Sequence, residues 1–269
     1  MTDGGASRGA AAHTIAFVAG LHRSGTSALA RLLASHPGVS GFSDTGVKED
    51  EGQHLQQVYP SARAYGGAGR FAFEPRAHLT EDSPLVSSSN ADRLFEQWSA
   101  HWDLRRPVLI EKSPPNLIMT RFLQALYPRA RFIVVTRHPI VVSLSTSRWR
   151  GGDRTLLPLL DHWLTAHELF RADSAHLAHL HQLTYEDLMA DPQATLAKVA
   201  RFLELEGPID AASIDPARSD SYTDRWKAML ASTKTRDRAL VATVRDRFGE
   251  RIQSFGYSID HVERAGLPG

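Results

Sequence analysis

Cysteine is absent from all 269 residues of the chain. That excludes disulfides, thiolate zinc sites, iron–sulfur clusters and a cysteine nucleophile. Charge of one sign is lacking too, since Lys and Arg number 31 against 30 Asp and Glu. Non-specific nucleic-acid binding needs a basic excess, so no nucleic-acid partner is expected, whereas a local cationic pocket fits this balance. No apolar run approaches the roughly 18–20 residues of a membrane span. The first twelve residues, Met1 to Ala12, are mostly small and carry no apolar segment of signal-peptide type. These absences predict a soluble, cytoplasmic protein, with residues 1–12 a disordered tail and 13–269 a single domain. A domain of that size buries roughly 70–75% of the surface it would expose unfolded and needs no covalent staples.

What is present is an alternation of strands and helices. Apolar runs at Thr14–Ala19, Val108–Ile110 and Arg131–Thr136, with a weaker one at Gln182–Tyr185, are continuous, not alternating, as in parallel strands covered on both faces. Leu29, Leu32 and Leu33 fall on one face of a helix that stops before His36-Pro37. A second helix is signalled by Asp191 as N-cap and Pro192 at its first position, followed by Leu196, Val199, Ala200 and Leu203 along one side. The predicted fold is α/β: a P-loop-like, three-layer domain with a central, mainly parallel sheet flanked by helices. Residues 59–90, rich in Gly, Pro, Ser and Arg, break the pattern and read either as a poorly ordered insertion or as a lid over an acceptor.

The sharpest motif follows the first strand. Gly20-Leu21-His22-Arg23-Ser24-Gly25-Thr26-Ser27 has P-loop spacing, in which small residues let backbone N–H groups and a helix N-terminus cradle a phosphate. The position of the P-loop lysine holds Thr26, and the cation comes earlier, at Arg23, so nucleoside triphosphate hydrolysis is a poor fit. Arg137, at the end of the Arg131–Thr136 strand, and Lys112, in Glu111-Lys112-Ser113-Pro114, leave their strands at the same carboxyl edge. Ligands of open α/β sheets sit at that edge, so three cations converging there predict a ligand with two separated anionic groups.

At these residues the sequence resembles the sulfotransferases that use 3′-phosphoadenosine 5′-phosphosulfate (PAPS), over about residues 14–205. Arg23, Ser24, Gly25, Thr26 and Ser27 are similar to that family's 5′-phosphosulfate loop. Arg137 with Ser145 resembles its 3′-phosphate pair, Lys112 its contact to the transferred sulfuryl group, and Tyr185 a tyrosine near the adenine. Arg225-Trp226-Lys227 is similar to a Trp-Lys element near the C-terminus, but the basic group expected just upstream is missing from Ser219-Asp220-Ser221. The histidine that cytosolic phenol and steroid enzymes carry two residues after the lysine is replaced by Pro114. The chain therefore looks more like tyrosylprotein, carbohydrate and bacterial natural-product members.

The resemblance implies transfer of a sulfuryl group from PAPS to a hydroxyl, or secondarily an amine, of a small-molecule, glycolipid or carbohydrate acceptor by in-line displacement. The product would be adenosine 3′,5′-bisphosphate (PAP), and no metal is required. With Pro114 in place of the histidine, the general base has to be sought elsewhere in the chain. Counting from Arg23, Asp44 falls where the tyrosylprotein enzymes keep a catalytic Glu, and His54 and Glu51 in the adjacent run of residues 48–54 are further candidates. Glu51 and His54, at i, i+3, would share one face of a helix. His176, His179 and His181 cluster without a carboxylate at metal spacing and are not expected to bind one. Two other readings stay open: a P-loop small-molecule or nucleotide kinase, and a non-catalytic nucleotide-binding protein.

Overall fold

A computed structural model of the chain describes residues 9–149, 155–212, 214 and 220–263. Strands β1 (Thr14–Ala19), β2 (Val39–Ser40), β3 (Val108–Lys112), β4 (Arg131–Thr136) and β5 (Leu180–Thr184) form one sheet in the order β2-β3-β1-β4-β5. Every neighbouring pair is parallel. Alternate residues of β1 serve opposite faces. Ile15, Phe17 and Ala19 join one apolar cluster, while Ala16 and Val18 join another. Burial on both sides is why the run reads as continuously apolar.

Helices α1 (Thr26–Ala34) and α7 (Pro192–Phe202) cover one face through Leu29, Leu33, Leu196 and Val199. The other face carries α2 (Ser88–Ser99), α3 (Thr120–Leu126), α4 (Pro139–Thr146), α5 (Leu156–Ser174), α8 (Asp220–Leu230) and α9 (Thr235–Gln253). The arginine-rich run from Thr235 is accordingly a helix with a wet face, and it also buries Val241, Val244, Phe248 and Ile252.

Several boundaries differ from the sequence reading, each for a local reason. Strand β3 runs on through Glu111 and Lys112, because both stay in register with Phe17 and Val18. Tyr185 opens a short helix, α6 (Tyr185–Ala190), instead of closing β5, because the Thr184 hydroxyl accepts from the Asp187 amide and caps that helix. Of the expected N-terminal tail, residues 1–8 lie outside the described residues. Ala10–Ala12 form a 3-10 turn with Ala10 buried in the larger cluster.

Residues 59–87 are irregular, with 3-10 turns at Ala62–Tyr65, Phe71–Phe73 and Pro75–Ala77, and residue 88 begins α2. Tyr59, Ala62, Phe71, Ala72 and Ala77 are buried in the larger cluster. Two side chains of α5 pin the segment. The His162 Nε2 accepts from the Ala72 amide at 3.2 Å, and His78 Nε2 meets Asp173 Oδ2 at 2.8 Å.

The edge used by ligands in this class of sheet is where β1, β3 and β4 end. There His138 caps α4: its Nδ1 accepts from the Ile140 amide at 3.2 Å, and its Nε2 lies 3.0 Å from the Ser258 carbonyl. The ring is therefore the neutral Nε2–H tautomer, and burial pushes its pKa down to about 4. Below pH 6.5 the unfolded chain protonates this histidine while the folded chain does not. Stability from this site is thus full above that pH and is lost as pH falls toward 4. His138→Asn keeps a capping acceptor and removes the titration. The stability advantage of wild type over the variant, from urea midpoints, should shrink by about 1.4 kcal/mol per pH unit between pH 6 and pH 4.5. A constant difference across that range would show that His138 is not buried neutral.

Candidate active site

The turn from β1 into α1 is shaped by glycine. Gly20 and Gly25 have φ of 143° and 100°, and a Cβ on Gly25 would lie 2.6 Å from Cδ2 of Tyr185. At Gly20 a Cβ would meet the Val135 carbonyl oxygen at 2.4 Å. Gly25 occupies the N-cap and cannot cap with a side chain, which leaves the first amides of α1 facing the cleft. The Ser24 hydroxyl is fully buried here and has no hydrogen-bond partner. An orphaned hydroxyl beside helix amides, in a loop too tight for side chains, fits an oxyanion.

Arg137, at the end of β4, is 8% exposed and donates from one Nη to the Arg23 carbonyl at 3.0 Å. The Tyr185 ring lies 4.0 Å from its guanidinium carbon. Tyr185 thus touches both Gly25 and Arg137, which ties the phosphate-type loop to the end of β4. Burial lowers the Arg137 pKa, yet no guanidinium loses its proton near neutral pH. Arg23 Nε donates to Ser145 Oγ of α4 at 2.7 Å. Neither arginine forms an ion pair with a carboxylate among the described residues.

Lys112, by contrast, turns to acid. Its Nζ donates to the Glu49 carbonyl at 2.8 Å and lies 3.5 Å from Glu51 Oε1, with both side chains almost fully buried. The expected convergence of three cations is thus two arginines at one cleft and a lysine held behind Glu51.

The three base candidates separate in space. Glu51 sits between Lys112 and His54, whose Nε2 is 3.8 Å from Glu51 Oε2. Gln53 donates to the same Glu51 oxygen and accepts from the Ala62 amide through its own Oε1. Asp44 is exposed and lines neither cavity described below. Counting along the chain from Arg23 lands on Asp44, but the backbone turns there in a left-handed conformation (φ 52°), and the chain reaches the cavities only from Lys48 onward.

That turn is strained. Asp44, Glu49 and Asp50 have positive φ, as does Arg23 across the cleft; the one other non-glycine case among the described residues is Glu204. Thr45 donates to Asp50 from its amide and its hydroxyl, and these bonds lower the Asp50 pKa and clamp the loop. Beneath Glu51, the buried Glu111 accepts from Ser113 and Asn116, and burial pushes its pKa up to about 7. Ser113 in turn accepts from the Gln53 amide at 2.9 Å.

Two cavities meet across this cluster. One, of about 340 Å³, holds Arg23, Gly25, Thr26, Ser27, Arg137, Ser145 and Tyr185 in its lining. The other, of about 750 Å³, is lined by Lys48, Gln53, His54, Arg63 and the backbone around Gly66–Ala68. His22, Arg23, Glu49, Glu51 and Trp149 border both. Three lining residues were not legible in the sequence: His22, Trp149, which stacks edge-on against His22, and Tyr222 of α8. His22 lies inside the loop motif but carries no assigned role there, whereas Trp149 and Tyr222 belong to no motif and arrive through tertiary packing. Trp226, singled out in the sequence, is instead core, with Nε1 donating to the Ile259 carbonyl at 2.8 Å. Ser219 lies outside the described residues, and no group of three potential metal ligands occurs among the described ones. Nor is any described helix long and apolar enough to cross a membrane.

Comparison with known proteins agrees with this geometry. An uncharacterized protein of Aquifex aeolicus is 23% identical over 246 residues, covering 78% of this chain and 30% of that protein. The nodulation protein NoeE of Sinorhizobium fredii is 30% identical over 139 residues, covering 50% of this chain and 32% of that one. The chain spans about a third of the length of these relatives. Among solved structures, the sulfotransferase domain of the Synechococcus PCC 7002 olefin synthase has the same fold, with a TM-score of 0.51 and 19% identity over 91% of this chain and 95% of that one. Sulfotransferase STF9 of Mycobacterium avium gives a TM-score of 0.52 and 15% identity over 93% and 78%. The model of the Sulfotransferase family matches residues 16–209, from within β1 to just past α7 and across both walls of the cleft, and the chain belongs to that family.

Proposed function

We propose that the chain transfers a sulfuryl group from PAPS to a hydroxyl of a small-molecule, glycolipid or carbohydrate acceptor by in-line displacement. The observation that carries this reading is the pair of arginines, Arg23 and Arg137, linked to each other at the mouth of a glycine-shaped loop, neither of them in an ion pair with a carboxylate among the described residues. A nucleotide with anionic groups at both its 5′ and 3′ ends satisfies both. The Ser24 hydroxyl, the amides at the start of α1 and Arg23 would hold the 5′ side. Arg137 and Ser145 would hold the 3′-phosphate, with Tyr185 lining the nucleotide cleft. When bound, PAPS supplies a sulfuryl group already activated on a phosphate leaving group.

The chain's own residues then do three things. Arg23 and the loop amides stabilise negative charge on the leaving side, as preorganised donors that need not reorient. The larger cavity, walled by Trp149, Arg63 and the Gly66–Ala68 backbone, orients the acceptor hydroxyl. Glu51, alone of the three base candidates in bordering both cavities, takes the hydroxyl proton. Lys112 Nζ lies 3.5 Å from Glu51 Oε1, so that its ammonium would face the charge that develops beside that carboxylate. His54, on the far oxygen of Glu51, orients that carboxylate.

Glu51→Gln preserves the shape and removes the base. Its kcat should fall by about 10²–10⁴, with PAP affinity unchanged by calorimetry. Retention of wild-type turnover would move the base elsewhere.

Arg137→Ala should weaken PAP by about 10- to 100-fold, the worth of a charge-assisted hydrogen bond. Adenosine 5′-phosphosulfate, which has no 3′-phosphate, should lose far less. Equal losses would remove Arg137 from the 3′-phosphate. Stabilisation by Mg–ATP and not by PAP in a thermal-shift titration would replace this reading with that of a kinase, against which Thr26 now stands.

A further inference from the structure

Helix α8 enters the smaller cavity through one side chain, Tyr222, to which nothing above gives a role. The helix packs on α4, the element that carries Ser145. Tyr222 lines this cavity together with Arg23, Arg137 and Ser145. Hydrogen bonding with Ser145 lowers its phenol pKa, with burial opposing and the nearby Arg23 and Arg148 charges adding to the lowering. Ser145 itself accepts from Arg23 Nε at 2.7 Å. Tyr222, Ser145 and Arg23 therefore share the cleft that also holds Arg137. A phenol carries one O–H donor. An anionic acceptor held by Arg137 and Ser145 would lie in the same cavity as that donor. The ring, only partly buried, brings the hydroxyl to this point without a second positive charge, so it adds a donor to the two arginines without adding to their mutual repulsion.

We infer that Tyr222 is a nucleotide ligand: its hydroxyl donates to the nucleotide's 3′-phosphate beside Arg137 and Ser145, and so makes affinity depend on that phosphate. This rests on the PAPS reading above, and adds a residue from the C-terminal part of the chain, which lies outside the 16–209 stretch that matches the family.

The test is isothermal titration calorimetry on the full chain with PAP and with AMP, which lacks the 3′-phosphate, for wild type, Tyr222→Phe, Tyr222→Leu and Arg137→Ala. Tyr222→Phe removes one oxygen from a partly exposed ring, and an unchanged melting temperature without ligand verifies its fold. Both Tyr222 variants should weaken PAP by about tenfold, the worth of one hydrogen bond to a charged group, and leave AMP binding as in wild type. If Tyr222→Phe binds PAP as wild type does while Arg137→Ala loses it, Tyr222 is not a ligand and the PAPS reading stands. Equal losses of PAP and AMP in the Tyr222 variants would likewise overturn the assignment to the 3′-phosphate. Wild type that binds PAP no better than AMP would overturn the nucleotide reading itself, and Tyr222 with it.

Discussion

A guanidinium at the end of β4, buried under the ring of Tyr185 and in no ion pair with a carboxylate among the described residues, is the constraint on which the site depends. Removing such a charge from water costs several kcal/mol, and one carbonyl, an aromatic face and the more distant attraction of Glu186 return only part of that. The protein holds the deficit because the fold around it is rigid. Tyr185 is trapped between Arg137 and Gly25, where any side chain would collide with its ring. Arg23 is drawn in by its own carbonyl, which Arg137 holds, and by Ser145. The result is a cleft whose lining carries two arginines, Arg23 and Arg137, beside the glycine-shaped loop.

The opposite wall is built on a different principle. The Asp44–Asp50 turn stores strain in three left-handed residues, each costing on the order of 1 kcal/mol, and Thr45 clamps it through Asp50. What the strain achieves is the delivery of Glu49 and Glu51 to the boundary between the two cavities. Beneath them the buried Glu111, Ser113 and Gln53 form a hydrogen-bonded chain from the end of β3 to the loop that carries Glu51 and His54. Lys112 and Glu51 are thereby referenced to the same strand. The Glu51 carboxylate and the neighbouring Lys112 ammonium are thus held together even though residues 49–54 have no regular secondary structure beyond single 3-10 turns.

The irregular segment 59–87 and the C-terminal helices complete the enclosure from outside the sheet. His162 and Asp173 of α5 anchor the former, so that Arg63 and the Gly66–Ala68 backbone become a wall of the larger cavity. Trp226 and His138 tie the latter to the core through the Ile259 and Ser258 carbonyls, which places α8 against α4 and Tyr222 against Ser145. Residues remote from any motif therefore decide the shape of both cavities.

Local features were legible in the sequence because they are written in local physics. β1 and β4 follow from apolar runs buried on both faces, α7 from Asp191-Pro192, and the cradle from Gly20 and Gly25, whose backbones no other residue adopts without strain. The positions of Arg23 and Arg137 at one edge follow from a parallel sheet, in which strand ends share a side, whereas Ser145, inside α4, came only from the family resemblance. The role of Lys112 did not follow, because its partner is 61 positions away on a strained loop, and spacing along the chain carries no information about which charge a buried ammonium meets. The same reason separates Asp44 from Glu51: counting residues measures contour length, while a base is defined by what lies within hydrogen-bond reach. The sequence by itself determined the sheet, the phosphate-type loop and the excess of cation at its edge. Only the tertiary structure decided that Glu49 and Glu51 border both cavities while Asp44 borders neither, that Trp149 walls both and that Tyr222 closes the smaller one, because those contacts come from packing between elements distant in the chain.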